Sequence, residues 1–137
     1  MTTQRIIQLF EAQLAAVASA LKLDIAMENI EFKPSKNIYL RSHVLPAGTD
    51  VIDLAGTMKV YKGIFQIDIV APAGAGKAKA GNIADSIIEA FPNNLELSVG
   101  EFTVSVEGEP SRMRALSDST RYLIPISIDY RANVTTG

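Results

Sequence analysis

The sequence contains no cysteine and no tryptophan, it has a single histidine, and neither sign of charge dominates. Without cysteine there is no disulfide, no thiolate nucleophile and no cysteine-ligated zinc. His43 has no second imidazole with which to share a metal, and any serine-based triad would depend on it alone. The 13 basic and 15 acidic residues give a formal net charge of −2. This balance offers no basic footprint for nucleic acid and no polybasic patch for a membrane, so we expect neither partner.

Long apolar runs are also absent. The N-terminal segment is rich in apolar residues, but Gln8, Glu11 and Gln13 interrupt it and its period is helical, which argues against a signal peptide. No segment approaches the ~18 uninterrupted apolar residues of a membrane span. With 137 residues, 47% of them hydrophobic, the chain is predicted to be a soluble protein made in the cytoplasm, with one domain over residues 1–137.

Two segments have the periodicity of amphipathic helices. The first covers residues 3–22, and its predicted apolar stripe is Ile7, Phe10, Leu14, Val17 and Leu21, widened by Leu9, Ala12 and Ala16. The second covers residues 77–91, is ended by Pro92, and has the stripe Ala80, Ile83, Ala84, Ile87, Ile88 and Phe91. Both helices are expected to pack on a sheet. The alternative for the first is an exposed helix that binds a partner.

The remaining periodic segments alternate as strands do. A first strand is predicted at 25–34, around Ile30 and Phe32, and a second at 38–46, stopped by Pro46. A long strand at 58–72 presents its odd-numbered side chains to the core, with Gly63 as a bulge or bend. Shorter strands follow at 95–99 and 101–106, with a turn at 108–110 and a polar, flexible segment at 111–120.

The last predicted strand, at 121–132, points its even-numbered side chains inward. Pro125 cannot donate to a ladder and is therefore expected on an edge strand or at a bulge. The order of elements predicts an α+β fold with a mostly antiparallel sheet and two helices packed on it.

The glycine-rich turn at 71–80, APAGAGKAKA, resembles a phosphate-binding loop only superficially. With Gly76 and Lys77 as the Gly-Lys pair, alanines stand where the first glycine and the magnesium-binding hydroxyl belong, at Ala71 and Ala78. The dinucleotide pattern fails as well, because Lys79 occupies the position of its third glycine. The turn is therefore interpreted as a strand-to-helix connection. No cofactor and no metal ligands are predicted, and the protein is predicted not to be an enzyme.

Two segments are candidates for contact with a partner. The loop predicted at 47–57 contains Val51, Ile52 and Leu54 beside Asp53. These apolar residues either fold back over the core or stay mobile until a partner subunit covers them. Arg112 and Arg114 belong to an arginine-rich final third of the chain, which is either a solvated basic edge or an interface edge. The candidate interface residues are Val51, Ile52, Asp53, Leu54, Arg112 and Arg114.

Several runs resemble the phage tail terminator-like proteins. These are Tyr61 to Pro72 (YKGIFQIDIVAP), Gly74 and Gly76, Ile83-Ala84-Asp85, Phe91, and Tyr122 to Arg131 (YLIPISIDYR). With the helix at 3–22 in the expected position, the resemblance spans nearly the whole chain. It rests on packing and turn signatures, because the family has no catalytic motif.

The resemblance implies a structural protein of the virion tail, without a cofactor or catalytic residues, assembled in the cytoplasm of the host bacterium. Six subunits would form a ring that caps the tail tube, stops its polymerisation and presents a surface to the head-joining, or neck, proteins. The implied partners are further copies of the chain, the tail tube protein and the neck proteins. The alternatives are another tube or neck component, or a small nucleotide- or anion-binding enzyme that uses the turn at 73–77.

Overall fold

The structure is a computed structural model that describes residues 2–26, 38–51, 58–72, 77–117 and 121–135. The helices are α1 (Thr2–Leu21) and α2 (Lys77–Ala90). The strands are β1 (Asp24–Ala26), β2 (Tyr39–Val51), β3 (Met58–Pro72), β4 (Glu96–Val99), β5 (Phe102–Arg112), β6 (Leu116–Ser117) and β7 (Arg121–Thr135). The strand predicted around Ile30 and Phe32 and the glycines of the turn, at 73–76, lie outside the described residues.

The strands form one sheet in the order β1-β2-β3-β7-β5-β4, with β6 beside β7. Only the short pair β1–β2 is parallel, and the other pairs in the described ranges are antiparallel. β3 and β7 form the centre, because they pair in one register from Met58–Thr135 to Pro72–Arg121. The predicted α+β fold with a mostly antiparallel sheet and two helices is confirmed.

Both helices lie on one face of the sheet, which we call the inner face. α2 contacts the central strands β3, β7 and β5, whereas α1 contacts β1 and β2 near one edge of the sheet and β4 at the other. A single helix can reach both edges only if the sheet curls around it. The sheet therefore curls toward α1, and the core lies between the helices and the concave surface.

Aromatic rings fill the centre of this core. Phe10 stacks on Phe65 with ring centroids 4.8 Å apart, and Phe91 and Tyr130 lie 6.1 and 5.7 Å from Phe10. Each ring comes from a different element, so this cluster joins α1, β3, the end of α2 and β7. Burial also raises the pKa of the Tyr130 hydroxyl above its ordinary value, because ionisation would place a charge in an apolar setting.

The apolar stripe of α1 was predicted only in part. Its buried line is Ile6, Phe10, Leu14 and Ala18, whereas Ile7, Val17 and Leu21 are half-buried and Ala12 and Ala16 are exposed. The buried residues of α1 thus follow one another at four-residue intervals, so the helix is rotated about its axis relative to the prediction. The predicted widening of the stripe through Ala12 and Ala16 is wrong. The stripe of α2 is confirmed, with only Ile88 half-buried.

Pro46 does not end β2, as the sequence pattern predicted. The strand continues to Val51, with a shift of register between Pro46 and Gly48 against β3. β1 pairs with β2 only as far as Arg41, so among the described strands Pro46 has a neighbour on one side. Edge positions and bulges tolerate proline because no second ladder needs its missing N–H. The loop predicted at 47–57 is therefore strand as far as Val51.

Gly63 is not a bulge in β3, because the β3–β7 register is continuous there. It lies opposite Tyr130, and a Cβ atom at this position would stand 2.6 Å from Cζ of Tyr130 and 2.7 Å from the Leu45 carbonyl oxygen. Glycine is needed here for the close approach of a ring and a neighbouring backbone. The irregularity lies instead in β2, where Pro46 is the partner of Gly63.

Pro125 does not lie on an edge strand, because β7 runs between β3 on one side and β5 and β6 on the other. Its carbonyl accepts a hydrogen bond from the Met113 amide at 2.8 Å. A strand residue directs its N–H and C=O to the same side, so the missing N–H faces the break between β5 and β6 at 113–115. Proline is tolerated there because the neighbouring strand is interrupted.

The predicted turn at 108–110 is also wrong. β5 runs from Phe102 to Arg112, and its register against β7 shifts between Glu107 and Ser111. Gly108 takes a φ of 74°, which glycine adopts readily. A G-E-P sequence that is typical of a turn thus forms a bulge inside a strand, and residues 111 and 112 of the predicted flexible segment are strand.

Candidate assembly surfaces

The face of the sheet away from the helices, which we call the outer face, is built in rows of cross-strand neighbours. One apolar row joins Tyr39, Val70, Leu123 and Leu116 across β2, β3, β7 and β6. Burial falls along it, from 2% exposure at Val70 to 60% at Leu116. The outer face is therefore not uniformly exposed to solvent, and its apolar row ends at an exposed leucine.

The next row contains an ion pair between a buried carboxylate and a half-exposed guanidinium, whose side chain is 42% exposed. Asp68 is 2% exposed and its Oδ2 accepts hydrogen bonds from Nε and Nη2 of Arg41 at 3.2 and 3.0 Å. Its Oδ1 accepts one from Nε2 of Gln66 at 3.0 Å. Both oxygens are thus satisfied, as a buried carboxylate requires. The pair belongs to the structure of the sheet and offers no free group for chemistry.

The outer face is polar over β4, β5 and β7. Arg131 lies 3.8 Å from Glu107 and donates from Nε to Oδ1 of Asn133 at 3.0 Å. A shallow groove of about 350 Å³ is lined by Glu96, Thr103, Ser105, Arg131 and Asn133. Its groups are surface hydroxyls, amides and charges without a nucleophile–base pair. Within the described ranges, no group of three or more His, Asp or Glu side chains could hold a metal ion.

His43 lies in the row between these regions, beside Gln66 and, through it, Ser127. It is half-buried. Neither neighbour is a carboxylate or a second imidazole, so this row lacks the parts of a triad or a metal site.

The predicted interface residues fall into two separate places. Val51 ends β2 opposite Lys59 and, through it, Val134, and Ile52, Asp53 and Leu54 lie outside the described residues. Arg112 ends β5 opposite Ile126. Val134 and Ile126 are eight strand residues apart, or about 26 Å at 3.3 Å per residue. The two groups therefore cannot form one patch within a single chain.

Arg112 and Arg114 also differ from each other. Nη1 of Arg112 lies 4.0 Å from Oδ1 of Asp85 on α2, which is a weak exposed ion pair. Arg114 is exposed and has no ion-pair partner within the part of the chain that the structure describes. Arg114 is thus the freer of the two for a contact with another molecule.

Exposed apolar side chains are the functional candidates that the sequence pattern missed. In the described ranges the large ones are Leu45, Val99, Met113 and Leu116, with exposures of 46, 53, 51 and 60%. Sequence periodicity assigned Val99 to a strand and left Met113 and Leu116 in a polar segment. Their flanking charges, Glu101 and Arg114, were the available signal, because exposed apolar patches rimmed by polar residues mark interaction sites.

A family model of phage tail terminator proteins matches residues 5–130. One solved structure, of a protein known only by a sequence identifier, is 32% identical, covers 96% of each chain and superposes with a TM-score of 0.80. A chain in the virion of a native gene transfer agent particle is 20% identical, with coverage of 94% of this chain and 93% of that one and a TM-score of 0.61. The second likeness shows the fold alone. No curated protein sequence matches this chain significantly.

The curled antiparallel sheet with two helices on its inner face is the architecture that accompanies the family match. With the match over residues 5–130, the chain belongs to the phage tail terminator family. It is therefore a structural component of the phage tail and not an enzyme. Among the described residues, neither helix is long and apolar enough to cross a membrane.

Proposed function

We propose that the protein caps the end of the phage tail tube as a ring of six identical subunits. The ring stops tube polymerisation and provides the surface on which the neck proteins join the head. In this proposal the whole chain acts as one tail terminator-like domain and assembles in the cytoplasm of the host bacterium. Its partners are its own copies, the tube protein and the neck proteins.

The observation that carries the proposal is the family match over residues 5–130. Two features of the surface support it. A closed ring of more than two subunits needs two different patches on each subunit, and the predicted interface residues occupy two places about 26 Å apart along the strands. The exposed apolar side chains also lie beside charges, as expected of a surface that is covered on assembly.

The direct test is tube polymerisation in the presence and absence of this protein. Purified tube protein is allowed to polymerise, and tube length and tube ends are measured by negative-stain electron microscopy. The proposal predicts shorter tubes whose ends carry a ring of this protein. Tubes of unchanged length with bare ends would contradict the capping function. Rings that bind neck proteins and ignore tubes would instead assign the protein to the neck.

Charge reversal at Arg112 and Arg114 is expected to weaken ring assembly. Both side chains are exposed at the end of β5, so the Arg112→Glu/Arg114→Glu variant should keep the fold of the single subunit. Light scattering measures the fraction of hexamer, and circular dichroism checks the fold. Lys62→Glu/Lys79→Glu, two exposed reversals of the same sign away from the end of β5, is the matched control. A hexamer fraction equal to that of the control would exclude these arginines from the interface.

A further inference from the structure

Three of the four large apolar side chains that are exposed in the described ranges lie at the two ends of β5. Val99 is 53% exposed just before the start of β5, and Met113 and Leu116, 51 and 60% exposed, follow its end. Exposed apolar groups that cluster beside charges mark interaction sites more often than isolated ones do. The two ends of this strand therefore form two separate candidate patches.

The patch at the end of β5 is basic and apolar, and we define it as Met113, Arg114 and Leu116. Met113 is held in place by its amide, which donates to the Pro125 carbonyl at 2.8 Å. Leu116 pairs with Leu123 of β7 and so belongs to the apolar row of the outer face. Arg114 is exposed between them, and Arg112 adjoins the patch. Rigid backbone therefore presents a positive charge between two apolar side chains.

The patch at the start of β5 is acidic and apolar, and we define it as Val99 and Glu101. Val99 pairs with Phe102, so a two-residue turn of Gly100 and Glu101 joins β4 to β5. Gly100 takes a φ of 59°, as the first central residue of a type II′ turn does. Within the described ranges Glu101 has no ion-pair partner, and the cation beside it is Arg5, which lines the adjoining groove with Glu101. The turn thus projects a carboxylate beside an exposed valine.

The two patches match in chemistry but cannot meet within one chain. β5 spans Phe102–Arg112, which separates its ends by roughly 30 Å at about 3.3 Å per residue. A pair of complementary patches at opposite ends of a subunit makes a heterologous contact, in which one patch meets the other patch of the next copy. Opposite charges steer such a contact and fix its register.

We propose that the patch Val99 and Glu101 of one subunit docks on the patch Met113, Arg114 and Leu116 of a second copy of this chain. The proposal rests on the ring of the proposed function and names the surfaces that close it. Val99 and Leu116 supply apolar area in the contact, and Arg114 faces the carboxylate of Glu101.

Site-directed crosslinking can test this contact without background reaction, because the sequence contains no cysteine and an introduced cysteine is the only thiol. Val99→Cys and Leu116→Cys are made as single variants and treated with a short bis-maleimide, alone and mixed. A heterologous contact predicts that the mixture gives crosslinked dimer at least about tenfold faster than either variant alone, because only the mixture brings the two positions together. The variant with both cysteines should give a ladder of species that ends at a closed ring. Ala16→Cys, exposed on α1, is the control for random collision.

Charge reversal sharpens the test. Adding Arg114→Glu to the Leu116→Cys variant should slow its crosslinking to Val99→Cys by at least fivefold. Adding Glu101→Lys to the Val99→Cys variant should restore the rate with this partner, since the pair is then reversed and again complementary. Glu89→Lys, exposed on α2, is the matched reversal that should restore nothing.

The outcomes separate this inference from the proposed function. Crosslinking of the mixture no faster than that of Ala16→Cys, or equally fast crosslinking of Leu116→Cys with itself, overturns the docking proposal even if tubes are capped. Specific crosslinking of the mixture with tubes of unchanged length upholds the contact between copies and overturns the cap. Circular dichroism of each variant verifies the fold, and Met113→Cys replaces Leu116→Cys if the latter does not fold.

Discussion

The two faces of the sheet are held together in different ways. The inner face is almost wholly apolar and is closed by the aromatic cluster around Phe10, with Ser42 as its exception: its Oγ is buried and has no hydrogen-bond partner among the described residues. The outer face carries the ion pair Arg41–Asp68, whose carboxylate is buried and accepts a hydrogen bond at each oxygen. One face thus depends on close packing and the other on satisfied polar groups.

This difference indicates what each face can be used for. A closely packed inner face fixes the helices and leaves little room for change. The outer face and the strand ends alternate apolar and charged rows, which is the composition of a surface that a partner covers. Stability is therefore expected to depend mainly on the inner face and on Asp68, and assembly on the exposed ends of β5.

The largest expected effect is at the centre of the inner face. Phe10→Ala removes the ring that contacts three other aromatic side chains and should lower the free energy of unfolding by about 4 kcal/mol. Urea denaturation measures the free energy of unfolding. The control Gln8→Ala, exposed on the same helix, should change this free energy by less than about 0.5 kcal/mol. A loss below about 1 kcal/mol for Phe10→Ala would show that the aromatic cluster does not hold the helices to the sheet.

The second-largest expected effect tests the Arg41–Asp68 ion pair of the outer face. Arg41→Met leaves the carboxylate of Asp68 buried without its cation and should cost about 2.5 kcal/mol, less than for a fully buried pair because the Arg41 side chain is 42% exposed. The double variant Arg41→Met/Asp68→Leu removes both charges and should recover most of this loss. Denaturation of both variants gives the comparison. A double variant as unstable as the single one would mean that the attraction between the two charges stabilises this face. The loss in the single variant would then not come from leaving a buried carboxylate unpaired.

A close approach on the inner face gives a somewhat smaller effect. Gly63→Ala places a Cβ atom against the Tyr130 ring and the Leu45 carbonyl and should cost about 2 kcal/mol by overpacking. In the matched substitution Gly81→Ala, inside α2, the atom nearest to the added Cβ is Nη2 of Arg112, at 3.5 Å. It should stabilise the protein by up to about 1 kcal/mol, because alanine favours helix over glycine. Equal effects at the two glycines would contradict the assigned contact.

The smallest effect has the opposite sign. Ser42 is 3% exposed and its buried Oγ has no hydrogen-bond partner in the described part of the chain, so Ser42→Ala should raise the free energy of unfolding by about 1 kcal/mol. Thermal and urea denaturation should agree on the gain. A loss of stability would reveal a hydrogen bond at Ser42 and make the two faces more alike than the structure indicates.

Sequence periodicity predicted the helices and strands better than it predicted how they pack against neighbours that are remote in sequence. The stripe of α2 and the odd-numbered core face of β3 were correct, because each follows from the repeat of one helix or strand. The rotation of α1 toward Ile6 and Ala18 was missed, since it depends on the curl of a sheet whose two edges the helix must reach. The end predicted for β2 at Pro46, the bulge predicted at Gly63 and the edge position predicted for Pro125 were wrong for the same reason: the relevant neighbour is remote in sequence. The other prediction for Pro125, a bulge, agrees with the interruption of the neighbouring strand at 113–115.

The candidate site was predicted less completely than the fold. Arg112 and Arg114 stood out by charge, and the structure places both at one strand end, with Arg112 turned toward Asp85. Val99, Met113 and Leu116 were not nominated, because an apolar residue in a strand or loop is equally compatible with burial. Only its exposure in the folded chain distinguishes a contact residue from a core residue.

The sequence by itself determined the absence of disulfide chemistry, the two helices, the inner face of the long strands and the family resemblance that the family match confirmed. These depend on residue type and on periods intrinsic to helices and strands. The tertiary structure decided that Asp68 is buried and paired, that Pro125 lies in a central strand, and that β5 holds an acidic and a basic patch at its opposite ends. Those properties depend on which strands become neighbours, and that pairing is formed by the whole chain at once.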